Sequence, residues 1–338
     1  MQKAIFPLSI LVVIAIVLIA MTQPKTSKQT TLEGPLLAEL ATSANSVDKI
    51  RIKSSEGEVL VAHLVDGRWL ASNFHDYPVD QKKLSSLMQG LVKAKREQPK
   101  TSKPENYVRL GVEPIDAENA NSVLVEVFSQ NTPLASVVIG NEANSGGTYV
   151  RLFAEEQTWL VNERLTAPIN RTDWLQQPIL NIDASQVSAF ARLGDKGWEM
   201  YKNENESDSG KWQLKGYEDA ELAYATILEN TVNNITNLRF DSVELLGEGQ
   251  DKEQKQDLEQ AQTVDAESVL SFRLTLTNSG QIMVEFVETD DGYQATFSSP
   301  ENDYFTKYVY DVSAFSVKQF DKQLSHFLAE QEEPEQEE

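Results

Sequence analysis

The chain of 338 residues has no cysteine and only three histidines. Without thiols it forms no disulfide and offers no thiolate to a metal, so a disulfide framework, a zinc-thiolate site and a lipoprotein anchor are excluded. His63, His75 and His326 are far apart, and none has a second histidine three or four residues away. We therefore predict no metal site and expect each histidine to have a structural role.

Positive charge is also scarce. Lysine and arginine number 30 against 52 aspartates and glutamates, a formal net charge of −22. A field of this sign repels nucleic acid and anionic bilayer surfaces, so neither is expected as the main partner. Much of the acidity lies in residues 248–267 and 329–338, which are rich in Gln and Glu and poor in large apolar groups. We predict an acidic linker and a disordered, solvated tail there.

Charge is absent altogether from residues 4–21, AIFPLSILVVIAIVLIAM, where Ser9 is the one polar side chain. About eighteen helical residues span roughly 27 Å, close to the hydrocarbon thickness of a bilayer. The alternative is a cleaved signal peptide, since Lys3 gives a short basic start. The run is longer than a usual signal core and Ile19-Ala20-Met21 lacks a small-x-small cleavage site. We therefore predict an uncleaved transmembrane signal anchor.

The orientation of this anchor follows from its flanks. Lys3 on one side is balanced by Lys25 and Lys28 on the other, so the positive-inside count discriminates little. A three-residue leading tail before a long folded part is typical of an anchor whose amino terminus stays inside. We predict a single-pass protein of the bacterial inner membrane, with residues 1–3 cytoplasmic, residues 22–46 a spacer and the globular part periplasmic.

Residues 47–184 are predicted to form a first α+β repeat. Apolar residues alternate from Val47 to Leu64, and the Asp66-Gly67 turn leads into a short strand that carries Trp69. Residues 35–42 and 165–175 are each expected to form a short helical segment. Later residues alternate in two hairpins, over 122–140 and 148–162. A helix is predicted between the first strands and these hairpins. Its apolar residues are three and four apart: Leu84, Leu87, Met88, Leu91 and Val92. Its last turn is predicted to be basic, with Lys93, Lys95 and Arg96.

Residues 185–328 repeat this order of elements. The turn and strand Ser209-Gly210-Lys211-Trp212 matches Asp66-Gly67-Arg68-Trp69, and a helix follows each. Apolar residues expected on one face of the second helix are Leu222, Ala225, Leu228, Val232, Ile235 and Leu238. We infer a tandem duplication with a period of about 145 residues. The predicted fold class is α+β: an N-terminal transmembrane helix, then two related halves of mainly antiparallel sheet with packed helices.

Motifs that would indicate catalysis are weak. The segment GNEANSGG, residues 140–147, lacks the Gly-Lys-Ser/Thr ending of a phosphate loop and precedes no helix, so we predict a hairpin loop. Ser145 is not in a nucleophile elbow. The carboxylates at Glu155-Glu156, Asp290-Asp291 and Asp303 lie beside turn residues, where solvated charge is expected. We predict no enzyme and assign no catalytic, cofactor-binding or metal-binding residue.

Five tryptophans occupy or flank predicted strands: Trp69, Trp159, Trp174, Trp198 and Trp212. Aromatic rings on a sheet can form a platform for sugars, but more often they bury a large apolar area. Because Trp69 and Trp212 recur at equivalent points of the duplication, we expect packing roles.

Four segments resemble the bacterial family known as domain of unknown function 4340: DGRWLASNFHDYPVDQKKLSSLMQGLVKAK, ENYVRLGVEP, SVVIGNEANSGGTYVRL and DWLQQPIL. The resemblance covers residues 47–193 well and the second half loosely. The resemblance implies that one N-terminal helix tethers the protein to the membrane. It also implies that the gene is of a kind often found beside genes for gliding-motility-type ABC transporter components. It transfers no catalytic residue. The expected function is a membrane-anchored accessory or scaffolding protein of such an export complex; the alternative is a non-catalytic module that binds envelope glycan or another ligand.

Overall fold

The computed structural model describes residues 34–203, 210–247, 269–301 and 303–329. The predicted anchor at 4–21, the first part of the spacer, the acidic linker at 248–267 and the tail from 330 onward lie outside these ranges. Within them, no helix combines the length and apolar character needed to cross a membrane.

The first half forms a nine-stranded sheet in which each neighbouring pair is antiparallel. The order across the sheet is β4-β3-β2-β1-β6-β7-β8-β9-β5. Its strands are β1 (Lys49–Ser54), β2 (Gly57–Val65), β3 (Arg68–Ala71), β4 (Tyr77–Pro78), β5 (Arg96–Pro99), β6 (Val123–Ser129), β7 (Thr132–Glu142), β8 (Thr148–Leu152) and β9 (Thr158–Val161).

The second half forms an eight-stranded antiparallel sheet in the order β12-β11-β10-β14-β15-β16-β17-β13. Its strands are β10 (Val187–Arg192), β11 (Trp198–Lys202), β12 (Trp212–Leu214), β13 (Ser242–Leu245), β14 (Val269–Leu276), β15 (Gln281–Thr289), β16 (Gly292–Ser298) and β17 (Tyr308–Val312).

The two sheets share one topology. If the two-residue β4 is set aside, the order of the first sheet is reproduced strand for strand in the second. An isolated bridge between Val79 and Leu175 precedes the long helix of the first half, and one between Leu222 and Leu328 precedes that of the second. Agreement at this level, including a strand that crosses to the far edge in each half, is consistent with two related halves.

The described helices are α1 (Ala38–Ser43), α2 (Gln81–Lys93), α3 (Ile227–Thr236) and α4 (Ala314–Lys318). Helix α1 fits the helical turn expected at 35–42. The neighbouring Leu36 and Leu40 are buried, so the folded unit begins before Val47. In α2, Asp80 caps the first turn by accepting hydrogen bonds from the amides of Lys82 and Lys83 at 3.0 Å.

Three helix predictions were wrong in part. Helix α2 ends at Lys93, and Arg96 begins the edge strand β5, so Lys95 and Arg96 are not helical. In the second half, α3 begins at Ile227 and ends at Thr236, which leaves Leu222, Ala225 and Leu238 outside it. Residues 165–175 contain a 3-10 turn at Arg171–Trp174 rather than a longer helix. A short polar edge strand such as β5 and a single 3-10 turn are too short to show a regular pattern of apolar residues. The ends of the helices therefore could not be placed accurately from the sequence.

One continuous hydrophobic core runs through both halves. At the boundary, the ring of Tyr77 lies edge-on to Phe240, Tyr304 and Tyr308, with centroid distances of 5.4, 5.8 and 4.9 Å. The hydroxyl of Tyr308 donates to the carbonyl of His75 at 3.0 Å, and the amide of Ile179 donates to that of Leu238. The halves are therefore joined by buried aromatic packing and hydrogen bonds rather than by a linker alone.

Candidate binding surfaces

The histidines and carboxylates singled out in the sequence do not converge. His63 lies on β2 with its Nε2 atom 3.3 Å from Asp76, and His326 accepts a hydrogen bond from the amide of Gln323 through Nδ1. His75 is exposed and directly follows the 3-10 turn Ser72–Phe74 after β3. Among the described residues no group of three or more His, Asp or Glu side chains is arranged to hold a metal ion.

In the glycine-rich segment 140–147, residues 140–142 end β7 and residues 143–147 connect it to β8, so the predicted hairpin is present with a shorter loop. Gly147 has φ +80°, and a Cβ atom there would lie 2.0 Å from the carbonyl oxygen of Val161. Gly140 is similarly crowded by the carbonyl of Leu110 at 2.3 Å. These glycines are needed for close backbone approach.

The remaining carboxylates lie in turns. Glu155 and Glu156 are exposed between β8 and β9, and their backbone carbonyls accept hydrogen bonds from Arg151 and Tyr107. Asp290 and Asp291 are exposed at the turn between β15 and β16, and Asp303 precedes a 3-10 turn.

The tryptophans divide into two groups. Trp159, Trp174 and Trp198 are buried, in agreement with the expected packing role. Trp69 and Trp212 pack against the core but are only half-buried, and each lines an open groove. Trp69 and Trp212 therefore occupy equivalent positions in the two halves, and each both packs against the core and lines a groove.

The first groove lies between α2 and β3 and encloses about 390 Å³. Trp69 lies beside Leu64, its neighbour across the β2–β3 pair. Helix α2 contributes Leu84, Ser85, Met88, Gln89, Val92 and, at its last residue, Lys93. Leu64 is 41 % exposed, an unusual degree for a leucine beside an already apolar groove. The first groove is thus an apolar surface open to solvent.

The second groove occupies the corresponding place in the other half and encloses about 550 Å³. Trp212 pairs with Lys202 as Trp69 pairs with Leu64. Helix α3 contributes residues at the same intervals as α2: Leu228, Glu229 and Asn233 in place of Leu84, Ser85 and Gln89. The two grooves are therefore copies of one surface.

Their chemistry has diverged. The Nζ atom of Lys202 lies 5.1 Å from the Trp212 ring centroid and donates to the carbonyls of Ala184 and Ser185. Burial lowers the pKa of Lys202, while the nearby charges of Asp183 and Glu229 act in the opposite direction. Where the first groove has Leu64 and Ser85, the second has a lysine and a glutamate. Only the first groove is suited to an apolar partner.

A third surface, the junction cavity, lies between the halves and encloses about 870 Å³. The first half contributes the β2–β3 turn, Trp69 and the start of α2, and the second contributes Leu245 and residues of the segment 304–308. Burial raises the pKa of both Tyr304 and Tyr308 to about 12, so their hydroxyls are protonated at neutral pH.

The segments that carry the family resemblance form structural contacts. Arg151, which is 7 % exposed, lies 5.1 Å from the Tyr107 ring centroid and donates to the carbonyls of Val112, Phe153 and Glu155. This contact fastens residues 104–121, which contain ENYVRLGVEP, onto the sheet. In DWLQQPIL, the carbonyl of Trp174 accepts from the amide of Asp80 at 2.8 Å. That bond secures the start of α2.

The fold and these surfaces define a class: a protein of two antiparallel sheets with matching strand order and few helices, whose described residues present grooves and no clustered metal ligands. Residues 69–262 match the family model described as a domain of unknown function (DUF4340). The match covers more than half of the 338 residues, so the chain belongs to this family, and the resemblance found in the sequence is confirmed. No curated protein and no solved structure matches the chain.

Sequence reasoning identified Trp69 and Trp212 but missed the grooves they line. A groove depends on which residue lies opposite the tryptophan and on which helical face turns toward it. Neither follows from alternation alone. The one signal available was the equal spacing of Leu84, Ser85 and Gln89 with their counterparts in the second repeat.

Proposed function

We propose that this protein is a membrane-anchored extracytoplasmic accessory or scaffolding protein, auxiliary to an ABC-type export complex, and that the first groove binds a subunit of that complex. The observation that carries the binding proposal is the contrast between the grooves. Leu64 and Ser85 leave the first groove uncharged at the positions where its copy has Lys202 and Glu229. The kind of complex comes from the family resemblance, and the anchor from the apolar run at residues 4–21.

The occupant proposed is the apolar face of a helix that a transporter subunit presents at the membrane surface. From Met21, the end of the proposed anchor, to Gly34 the chain spans at most about 45 Å. One wall of the first groove, formed by Ala44, Asn45 and Val47, directly follows α1. The groove therefore stays within reach of the bilayer. With a net charge of −22, the protein favours a partner segment flanked by basic residues.

The proposal is tested by transplanting the chemistry of the second groove into the first. Leu64→Lys with Ser85→Glu places the charges of Lys202 and Glu229 at the matching positions. Both residues replaced are exposed, so the fold should be retained. The matched control is the reverse exchange, Lys202→Leu with Glu229→Ser.

Tagged full-length variants are crosslinked in cells, extracted in detergent and identified with their partners by mass spectrometry. We expect the transporter permease and ATPase subunits with the wild type and the control, and at least a tenfold loss with the first pair of changes. Equal recovery from both variants would reject the first groove. Recovery of the protein alone from the wild type would reject the accessory function.

The second candidate function, a non-catalytic module that binds glycan, is favoured by a different surface, the junction cavity.

A further inference from the structure

We propose that the junction cavity is a binding site for a short neutral oligosaccharide. The inference rests on the size of the cavity, on its fixed aromatic rings and on polar side chains without protein partners. The cavity shares Trp69 with the first groove but otherwise has its own lining, so the two proposals can fail separately.

The size and placement of the cavity fit a small-ligand site. About 870 Å³ lies in the upper part of the range for pockets that hold small molecules, roughly 300–1,000 Å³. Both halves and the connecting residues Gln176 and Asn181 line it. Because the core is continuous and the tyrosine cluster joins the halves, the two walls are held in a fixed relation.

Aromatic rings supply a platform for the apolar face of a sugar. Trp69 and Tyr304 line the cavity and are half-buried, whereas Tyr308, which also lines it, is 4 % exposed and packs against Tyr77. The hydroxyl of Tyr304 donates to the carbonyl of Ile179 at 2.6 Å, and that of Tyr308 donates to the carbonyl of His75 at 3.0 Å. These bonds fix the tyrosine rings before a ligand arrives, which lowers the entropy cost of binding.

Polar side chains around the cavity are uncommitted. Arg68, Gln176, Asn181 and Lys307 line it, and in the part of the chain that the structure describes none of these four side chains makes a hydrogen bond or ion pair with protein. Gln176 is half-buried, so its amide has lost part of its contact with water without gaining a partner. Such groups are available to the hydroxyls of a ligand.

The charges select for a ligand without net charge. Arg68, Lys307, Asp66 and Asp76 all line the cavity, and Asp76 also lies 3.3 Å from Nε2 of His63. A strong anion would meet the two carboxylates, and a cation would meet the two basic groups. A hydroxyl both donates and accepts, so a neutral polyhydroxylated ligand satisfies both kinds of group. This balance contrasts with the net charge of −22 for the whole chain.

The test is isothermal titration of the full-length protein, kept in a detergent without sugar headgroups. The probes are chitotetraose and maltotetraose as neutral oligosaccharides, tetragalacturonate as the anionic one and the glucosamine tetramer as the cationic one. We expect a neutral probe to bind with Kd of about 1 mM or tighter and both charged probes to bind at least tenfold more weakly.

Two variants locate the site. Arg68→Ala and Gln176→Ala should each weaken neutral binding about tenfold. Lys318→Ala, at an exposed position on α4 outside the cavity, should leave it unchanged. The change Ser85→Glu, in the first groove and outside the cavity lining, should also leave sugar binding normal, which separates this proposal from the accessory function. Absence of binding by both neutral probes, preference for a charged probe, or binding unaffected by both cavity variants would overturn the inference.

Discussion

Arg151 holds the segment 104–121 on the first sheet, and its removal gives a sharp test of how the family segments act. The side chain is 7 % exposed and its three acceptors are backbone carbonyls. Val112 is fully buried, so in Arg151→Ala its carbonyl loses a charge-assisted bond that water cannot replace. Such a bond contributes about 1.5–3 kcal/mol. The stacking on Tyr107 adds about 0.5–2 kcal/mol.

The carbonyls of Phe153 and Glu155 lie at a surface turn that water can reach, so their loss adds little. We therefore expect Arg151→Ala to lower the free energy of unfolding by about 2–5 kcal/mol. Urea denaturation followed by circular dichroism measures this quantity. Limited proteolysis should show faster cleavage within residues 104–121.

The control is Arg171→Ala. The Arg171 guanidinium also stacks on an aromatic ring, 4.8 Å from the Phe74 centroid, but the side chain is exposed. We expect a loss below about 1 kcal/mol for this variant. If Arg151→Ala destabilised the protein no more than Arg171→Ala does, the segment would be held by its apolar contacts and the reasoning would be refuted.

Three further predictions concern local features. Asp80→Ala removes the cap of α2 and should cost about 1 kcal/mol in thermal or urea unfolding, whereas Thr226→Ala should cost almost nothing because Thr226 makes no capping bond. Gly147→Ala should cost more than about 3 kcal/mol, since its Cβ would meet a carbonyl at 2.0 Å; Gly146→Ala, in open space at φ +91°, should cost about 1 kcal/mol, and equal losses would contradict this. The raised pKa of Tyr304 favours its neutral form in the folded state, so its stability contribution is complete below about pH 10 and is lost as pH rises toward 12. Urea unfolding at pH 8, 10 and 11 should show this decline, and Tyr304→Phe should reduce it.

The matching order of elements in the two halves was predictable because its signal is local. The paired turns before Trp69 and Trp212, the alternating strands and the helix after each turn all stand in the sequence, and the structure has strands at the expected places. Burial on one face of a sheet imposes alternation, which is why these elements were found.

The edge strands β5 and β13 and the grooves were not predictable in the same way. Arg96 and its neighbours in β5 are mostly exposed and polar, so no alternation marks them as a strand. The role of Arg151 also leaves no signal in the sequence, because its contacts with Tyr107 and Val112 join residues that are far apart in the chain. Pairing between distant residues decides both features, and a single sequence does not reveal it.

The pairing of Leu64 with Trp69 illustrates the limit for the candidate site. The sequence indicates that both are on strands, but only the register places them opposite each other and beside α2. The contrast with Lys202 and Trp212 becomes visible once both registers are known. The functional proposal therefore rests on a comparison within the molecule.

The most direct test of that proposal is site-specific photocrosslinking in cells. A photoreactive amino acid is placed at Gln89 in the first groove or at Asn233, its counterpart in the second, within the full-length protein. We predict adducts with a transporter permease or ATPase subunit from position 89 and none from position 233. Equal adducts from both positions, or none from position 89, would contradict the proposed role of the first groove.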